Sequence, residues 1–523
     1  MSNPFGNSES LATPHPYPAL LPHSIKVYPI VQFANKIGPQ SPESWPPKMN
    51  RGVMDWRDEV DNAHSARNQI YIHIPFCPFL CHFCPLYKVE DSFERSSDHK
   101  EVYVETLIEE INSYGKINRS FQGAFHSIYF GGGTPTELAP SQLKRILRAL
   151  RNNFNVAPDA EITLEGVARQ MLLNDYLEEC MEDGFNRISF GIQSFDPNVR
   201  KQIGRGDKIE DYFDLIKHAR KVNPDLSINV EIMAGLPGQT QGSLAADIDQ
   251  LVRLNTDSVD ILYYVMMPGT KLKNLINKGK RESPYYGNDL LKMRQMVNSV
   301  FNKAGYKQIT GEVFTKTDRD LFVQTSFFRG TGLNTILAFG PSAFGLINGT
   351  VYHNVCDLAE YIKTIKKGLL PINTAETLNL KTAQRRSLLL SILQLEIPGF
   401  LVNNRYMKKL IRKWTELGLV ESQGDGFQLT PLGSLWYNHM QMDLLSPMDI
   451  IRSIRMFGSI GEQIEAISHG NSGNSQDQEM LKLIKNSGNS SFLGLTSYKM
   501  ILKVLSLPIF DKRAVGFTGP VDE

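Results

Sequence analysis

Three cysteines, Cys77, Cys81 and Cys84, fall within the short segment Tyr71-Ile-His-Ile-Pro-Phe-Cys-Pro-Phe-Leu-Cys-His-Phe-Cys-Pro85. Their C-x3-C-x2-C spacing supplies three thiolates, one short of a structural zinc site, and no second cysteine pair follows at zinc-ribbon distance. Three thiolates suit an iron–sulfur cluster that keeps one iron open for a ligand from outside the protein. Phe83 lies inside the ligand loop, next to the metal, where it shields the cluster from water; Phe76 could do the same or be a plain core aromatic.

Further along, Tyr129-Phe-Gly-Gly-Gly-Thr-Pro135 follows an apolar run. Glycines such as Gly132 and Gly133 lack a Cβ, so the backbone can approach a ligand and offer it amides and carbonyls. Alone, such a run is commonly just a turn. Glu165, Gln193 and Glu231 close later apolar runs. Inward-facing acids are costly unless paired or bound to a ligand, and an amino group or a ribose suits them. Arg205, in Gln202-Ile-Gly-Arg-Gly206, could hold a carboxylate with its planar fork. Gly235-Leu-Pro-Gly-Gln-Thr240 reads as a structural turn.

These residues need strand ends to hold them. Strands are expected at 69–75, 126–130, 160–165, 187–193, 227–233 and 258–265. Helix-period segments alternate with them. One carries Val104, Leu107, Ile108 and Ile111; another carries Leu143, Ile146, Leu147, Leu150 and Phe154. A third carries Leu173, Tyr176, Leu177, Cys180 and Met181 and closes at Gly184; the next two cover 209–222 and 243–254. Strands alternating with helices predict a parallel α/β sheet with its chemistry at the C-terminal strand ends. Every motif above falls at such an end. A helix (289–304), a strand-like run (306–314) and the glycine-rich Ala338–Gly345 follow.

Residues 1–68 read as an irregular, proline-rich arm with Tyr28, Phe33 and Trp56 as anchors, or as a loose tail. The barrel and its extension take 69–375. Residues 376–450 read as a winged-helix-like module: helices 381–394 and 404–417, a hairpin turning at Gly424-Asp-Gly426, and a short helix from Pro431. Residues 451–523 read as a Gly/Asn/Ser linker and a docking tail. The 523 residues include 41% hydrophobic and 21% charged residues and carry a net charge of +1. That balance gives no electrostatic case for nucleic acid, so a lid or packing role is expected for the winged module. No run of 18 apolar residues and no signal peptide is visible, and five cysteines without a disulfide framework point to the reducing cytoplasm.

The cysteine spacing resembles that of radical S-adenosylmethionine (SAM) enzymes. Tyr-Ile-His-Ile-Pro-Phe-Cys-x3-Cys-x-Phe-Cys, Phe-Gly-Gly-Gly-Thr-Pro-Thr, Gly-Ile-Gln-Ser-Phe, Gly-Leu-Pro-Gly-Gln-Thr and Met-Pro-Gly-Thr (267–270) occur in that order. As a set over residues 69–440 they resemble the oxygen-independent coproporphyrinogen III oxidase family. The resemblance implies a partial (βα)6 barrel and a [4Fe-4S] cluster on Cys77, Cys81 and Cys84. It implies SAM contacts from Tyr71, Gly132, Gly133, Thr134, Glu165, Gln193 and Arg205, with Glu231 standing where the oxidases have aspartate. It further implies a small-molecule substrate and a one-electron donor such as flavodoxin or ferredoxin. Two departures stand out. Leu86 replaces a fourth cysteine, and Gly-Val-Ala-Arg follows Glu165 in place of a small residue then Asn/Asp-Pro. Both fit better the members that resemble class C radical SAM methyltransferases, in which two SAM molecules bind and a carbon is transferred to an sp2 carbon of an aromatic or tetrapyrrole-like substrate. A coproporphyrinogen III dehydrogenase and a haem chaperone on the same fold are the other expectations. His73 reads as a structural residue beside the cluster, with haem ligation as the alternative.

Overall fold

The computed structural model describes residues 35–61, 68–90, 98–117, 123–267, 269–285, 287–317 and 332–444. The expected anchors Tyr28 and Phe33 and the segment 451–523 lie outside them. In chain order the strands are β1 (Asn35–Lys36), β2 (Asn68–Ile74), β3 (Phe76–Cys77), β4 (Val89–Glu90), β5 (Phe125–Gly132), β6 (Val156–Glu165), β7 (Arg187–Gln193) and β8 (Ser227–Ala234). There follow β9 (Ser258–Tyr263), β10 (Lys307–Gln308), β11 (Val313–Thr315), β12 (Ile336–Phe339), β13 (Phe344–Ile347), β14 (Thr350–Asn354) and β15 (Ile372–Thr377).

The six expected strands β2, β5, β6, β7, β8 and β9 lie side by side in sequence order, all parallel. Each consecutive pair is joined through at least one helix, as right-handed parallel crossovers require. The sheet does not close. Beyond β2 a seventh parallel strand, β12, is added, followed by antiparallel β13, β14, β15 and β1; beyond β9 lie β11 and β10. The expected strand-like run 306–314 is thus two short strands, and the glycine-rich Ala338–Gly345 spans the end of β12, the turn and the start of β13.

Alternation along each strand sorts the faces. Ile70, Ile72 and Ile74 of β2, and Ile128 and Phe130 of β5, are fully buried with the helix-facing core. Their neighbours Tyr71, His73 and Tyr129 therefore point to the concave side. The helix Asp98–Ile117 buries Tyr103, Val104, Leu107, Ile111 and Tyr114 at three- and four-residue spacing, which is why it lies flat on the sheet. The expected third helix is corrected. It is two short helices, Ala168–Met171 and Tyr176–Glu182, with Leu173 exposed in the turn between them, while Gly184 follows the second at φ +103°.

The described part of the arm is not irregular. It forms β1 on the sheet edge and the helix Arg51–Asp61, which buries Val53, Trp56 and Val60. A second anchor, Trp45, is buried edge-on against Tyr352 at 5.5 Å. The winged module has helices Leu380–Leu393 and Arg405–Glu416, the hairpin Val420–Gln423 and Gly426–Leu429, and Pro431–Asp443, a helix of 13 residues and so not short. It is bolted to the barrel. Arg294, on the helix Gly287–Lys303, lies 4.1 Å over the Tyr263 ring and 5.0 Å over that of Tyr437, and donates to the Leu435 carbonyl at 2.9 Å. No helix among the described residues is long and apolar enough to cross a membrane.

Candidate active site

At the C-terminal ends of the parallel strands a cavity of about 320 Å³ brings together Cys77, Cys81, Phe83, Cys84, Gly132, Gly133, Thr134, Glu165, Gln193, Arg205 and Glu231. Eleven of the twelve residues expected to bind cluster or SAM meet in this space, and Tyr71 does not line it. Its hydroxyl is instead engaged with His73 Nδ1 at 3.2 Å, and its ring is stacked over Tyr129 at 6.3 Å.

The cysteine loop leaves β2 at Pro75 and is closed by parallel pairing of β3 with β4. The Val89 amide donates to the Pro75 carbonyl at 2.7 Å, and Lys88 Nζ donates to the Cys84 carbonyl at 2.9 Å. Two of the three sulfurs receive hydrogen bonds: Thr134 Oγ1 lies 3.5 Å from Cys77 Sγ, and Arg205 Nη1 lies 3.6 Å from Cys81 Sγ. Burial pushes the Cys77 thiol up to about 12, against the Thr134 hydroxyl. The Cys81 thiol is also raised by burial, with Arg205 opposing. Phe83 packs beside Met233, Tyr264 and Met266 and lines the cavity. Phe76 is a core aromatic: it is fully buried, edge-on to Tyr103 at 5.3 Å. Strand alternation decides this, because Phe76 and Cys77 are neighbours and must point to opposite sides.

Glycine is required where β5 ends against the cysteine loop. The Gly133 amide donates to the Ile74 carbonyl at 2.7 Å. A Cβ on Gly133 would meet the Phe76 carbonyl oxygen at 2.5 Å, and one on Gly132, whose φ is +105°, would meet the His73 ring at 2.7 Å. His73 is itself buried, with Nε2 at 3.1 Å from the Tyr87 carbonyl, and burial lowers its pKa to about 4. It ties the end of β2 to the far side of the cysteine loop.

The acids face each other from β6 and β8, the strands on either side of β7. Burial, and then the neighbouring Glu231, push the Glu165 carboxyl well above the usual range. Glu231 is oriented by a hydrogen-bonded ladder across three strands. Ser258 Oγ donates to Asn229 Oδ1 (2.5 Å), Asn229 Nδ2 to Ser189 Oγ (3.0 Å), and Ser189 Oγ to Glu231 Oε1 (2.9 Å). Gln193 occupies the left-handed region at φ +69°, beside an irregularity in the β7–β8 register, and its Oε1 is buried without a hydrogen-bond partner. At this strand end the amide oxygen is open to a donor from a ligand. Arg205 lines the same cavity. Its Nη2 is held by Asp207 (2.6 Å) and the Gly191 carbonyl (2.6 Å), so it serves as an anchor of the cysteine loop and leaves only its buried Nε without a partner. Asp207, two residues away in sequence, went unread as the competing carboxylate. Also unread were Met233, Leu262, Val265 and Met267, which give the cavity its apolar lining beside the acids.

The residues fit a cluster and SAM. Among the described residues no three His, Cys, Asp or Glu side chains converge as a single ion would need. The three thiols of the loop line one cavity, and three thiolates are the donor set that an iron–sulfur cluster with one open iron takes. The glycine cradle, the unsatisfied Gln193 oxygen and the paired acids offer close backbone approach and acceptors for amino and ribose groups.

Comparison with known proteins agrees. The pattern of the radical SAM superfamily matches residues 71–251. The oxygen-independent coproporphyrinogen III oxidase of Escherichia coli K12 is 31% identical over 307 residues, covering 57% of this chain and 65% of its own length. The chain thus spans a little under two thirds of that relative. Anaerobilin synthase of Escherichia coli O157:H7 is 26% identical over 411 residues, covering 76% of this chain and 88% of its own. The heme chaperone HemW of Bacillus subtilis is 30% identical over 303 residues, covering 58% and 76%. The solved structure of E. coli coproporphyrinogen III oxidase, described as a radical SAM enzyme, superposes with a TM-score of 0.61 at 25% identity, covering 72% of this chain and 89% of that one. With fold, cysteine loop and cavity in agreement, this chain belongs to the oxygen-independent coproporphyrinogen III oxidase family of radical SAM enzymes, whose cofactors are a [4Fe-4S] cluster and SAM.

Proposed function

We propose that the chain is a carbon-transfer member of its family, moving a methyl or methylene group onto an sp2 carbon of an aromatic or tetrapyrrole-like substrate. The observation that carries this reading is Leu86. Where the oxidases resemble a fourth cysteine, an apolar side chain stands 49% exposed and lines the cavity. Anaerobilin synthase, matched over 76% of this chain, supports the choice of a tetrapyrrole-like substrate. When bound, the cluster and SAM supply a 5′-deoxyadenosyl radical. The chain's own residues do the rest. Cys77, Cys81 and Cys84 hold the metal; Gly132, Gly133 and Thr134 lend backbone to the methionine end of SAM; Glu165, Gln193 and Glu231 accept its amino and ribose donors. Leu262, Val265 and Met267 exclude water, so that a reactive carbon meets only the intended bond. Flavodoxin or ferredoxin is the proposed one-electron donor, in a reducing cytoplasm where no disulfide competes for the loop thiolates.

Two specific observations favour other readings. The 31% identity with the E. coli oxidase favours coproporphyrinogen III dehydrogenation, and the 30% identity with HemW favours haem handling. One experiment separates the three. The protein is reconstituted without oxygen, given reductant and SAM, and assayed for 5′-deoxyadenosine and S-adenosylhomocysteine. Both products are expected. Deoxyadenosine alone turns the assignment to the dehydrogenase, and neither product turns it to the chaperone.

A further inference from the structure

The extension of the sheet beyond β2 carries a feature that the cavity does not use. On β13 and β14, Phe344 lies opposite His353, with ring centroids 3.8 Å apart and planes within 11°. Phe344 is 41% exposed, unusual for so large an apolar ring.

The face on which the pair stands follows from alternation. The next pair along, Gly345 and Tyr352, points to the helix side, where Tyr352 is fully buried against Trp45. Phe344 and His353 therefore point to the concave side, the side of Tyr71 and His73. Two residues further, Leu346 and Val351 on the same side pack under the second core, and the pair emerges beyond its edge. The pair is also fixed next to the cysteine loop. A Cβ on Gly340, at the end of β12, would come 2.6 Å from the His73 carbonyl oxygen. Tyr87, the residue after Leu86, accepts from the Leu358 amide at 2.9 Å, just past β14.

The lower ring is held in place. His353 Nε2 lies 3.3 Å from Ser342 Oγ and 3.8 Å from Cys356 Sγ, and Ser342 is kept in the left-handed region at φ +61° by the turn. Burial keeps the imidazole neutral, with its pKa lowered to about 4, so it stacks as an uncharged aromatic. One face of Phe344 is thus occupied and the ring is oriented, while the rest of it meets solvent at the cavity's side of the sheet.

We propose that Phe344, backed by His353, is the platform on which a planar conjugated ring of the substrate stacks beside the cluster loop. Offset-stacked aromatic pairs gain beyond the area they bury, and a ring already pinned in place loses little freedom when a second ring joins it. This inference rests on the proposed aromatic or tetrapyrrole-like substrate and deepens it by naming the surface that reads the substrate's flatness. Ser342 and Cys356 are positioning residues for His353.

The test is binding of metal-free coproporphyrin III, which His353 and Cys356 cannot ligate, to the reconstituted protein with SAM under exclusion of oxygen. Binding is followed by the shift of the porphyrin's visible absorbance. Phe344→Ala should weaken binding about tenfold, and Phe344→Trp should hold it within about threefold of the parent. Tyr406→Ala, an equally exposed ring on the winged module, should change nothing. Substrate-free formation of deoxyadenosine, measured alongside, should be the same in all variants. Equal affinity of the parent and Phe344→Ala overturns the platform, as does absence of saturable binding to the parent. If the parent makes both SAM products while porphyrin binding ignores Phe344, the platform falls and the carbon-transfer reading stands. If SAM is not cleaved but binding depends on Phe344, the platform stands and that reading falls.

Discussion

Replacing Glu110 by glutamine should reverse its effect on stability between acid and alkaline pH. Glu110 is fully buried under the β12–β13 turn, where its carboxyl accepts from the Gly340 amide (2.9 Å), Asn354 Nδ2 (3.1 Å) and the Tyr361 hydroxyl (2.6 Å). Burial is the largest influence and raises its pKa from 4.5 to about 7, against the pull of those three donors. A carboxyl whose folded pKa lies above its unfolded one gives stability that is fully present below the unfolded value and lost as pH rises through the folded one. At 1.36 kcal/mol per unit, the loss between about pH 4.5 and pH 7 and just above comes to roughly 3 kcal/mol. Glutamine cannot ionise, so that slope disappears. It offers one acceptor oxygen to three donors and turns an NH2 group towards them, a cost of about 1–2 kcal/mol that does not depend on pH. The variant should therefore unfold more easily than the parent at pH 5 and approach or overtake it at pH 8. Urea midpoints at four pH values, read by tryptophan fluorescence, give the difference directly and cancel every other titrating group. A difference that stays constant from pH 5 to pH 8 would refute the assignment of this slope to Glu110.

Alanine at Cys77, Cys81 or Cys84 should abolish the visible absorbance and the iron and sulfide content of the reconstituted protein, whereas alanine at Cys180 or Cys356 should leave both intact; full iron in all three loop variants would sink the cluster assignment. Gly133→Ala places a Cβ at 2.5 Å from a backbone carbonyl oxygen that cannot rotate away, so iron retention and SAM affinity should both drop, with no loss for Gly206→Ala, where a Cβ meets nothing within 4 Å. Arg205→Lys keeps the charge but loses the fork that reaches both Cys81 and Asp207. Losing one hydrogen bond to sulfur, worth about 1 kcal/mol, should lower the one-electron reduction potential of the cluster by about 40 mV, and an unchanged potential in an EPR-monitored titration would count against that contact.

The barrel strands were legible because both of their faces are decisive. Isoleucines such as Ile70, Ile72 and Ile74 mark the helix side, and Tyr71 and His73, which alternate with them, mark the concave side. Cys77, Cys81 and Cys84 could be read from spacing alone, since chain connectivity keeps them in one loop. What depends on pairing between distant segments could not be read. β12 joins β2 across more than 250 residues, and no local pattern announces that it does. The same holds for the side on which Phe76 falls and for Trp45, whose partner Tyr352 arrives on a strand that the sequence does not advertise. Arg205 is a different case. Its competing partner, Asp207, was two residues away, and the local ion pair was there to be weighed.

The guanidinium of Arg294, sandwiched between Tyr263 at the end of β9 and Tyr437 of the winged module, joins what the sequence divides at residue 376. A chain cut at that boundary would keep the buried cation and lose one of its two aromatic walls together with the Leu435 carbonyl and Asn438 oxygen that accept from it. The cut piece would have to expose that charge or hold it without those partners. Tyr263 also lines the cavity, so the damage would begin at the reaction space and not at the severed end. A shortened barrel is therefore a poor substitute for the whole chain, and the segment boundary visible in the sequence is not a boundary of cooperative folding.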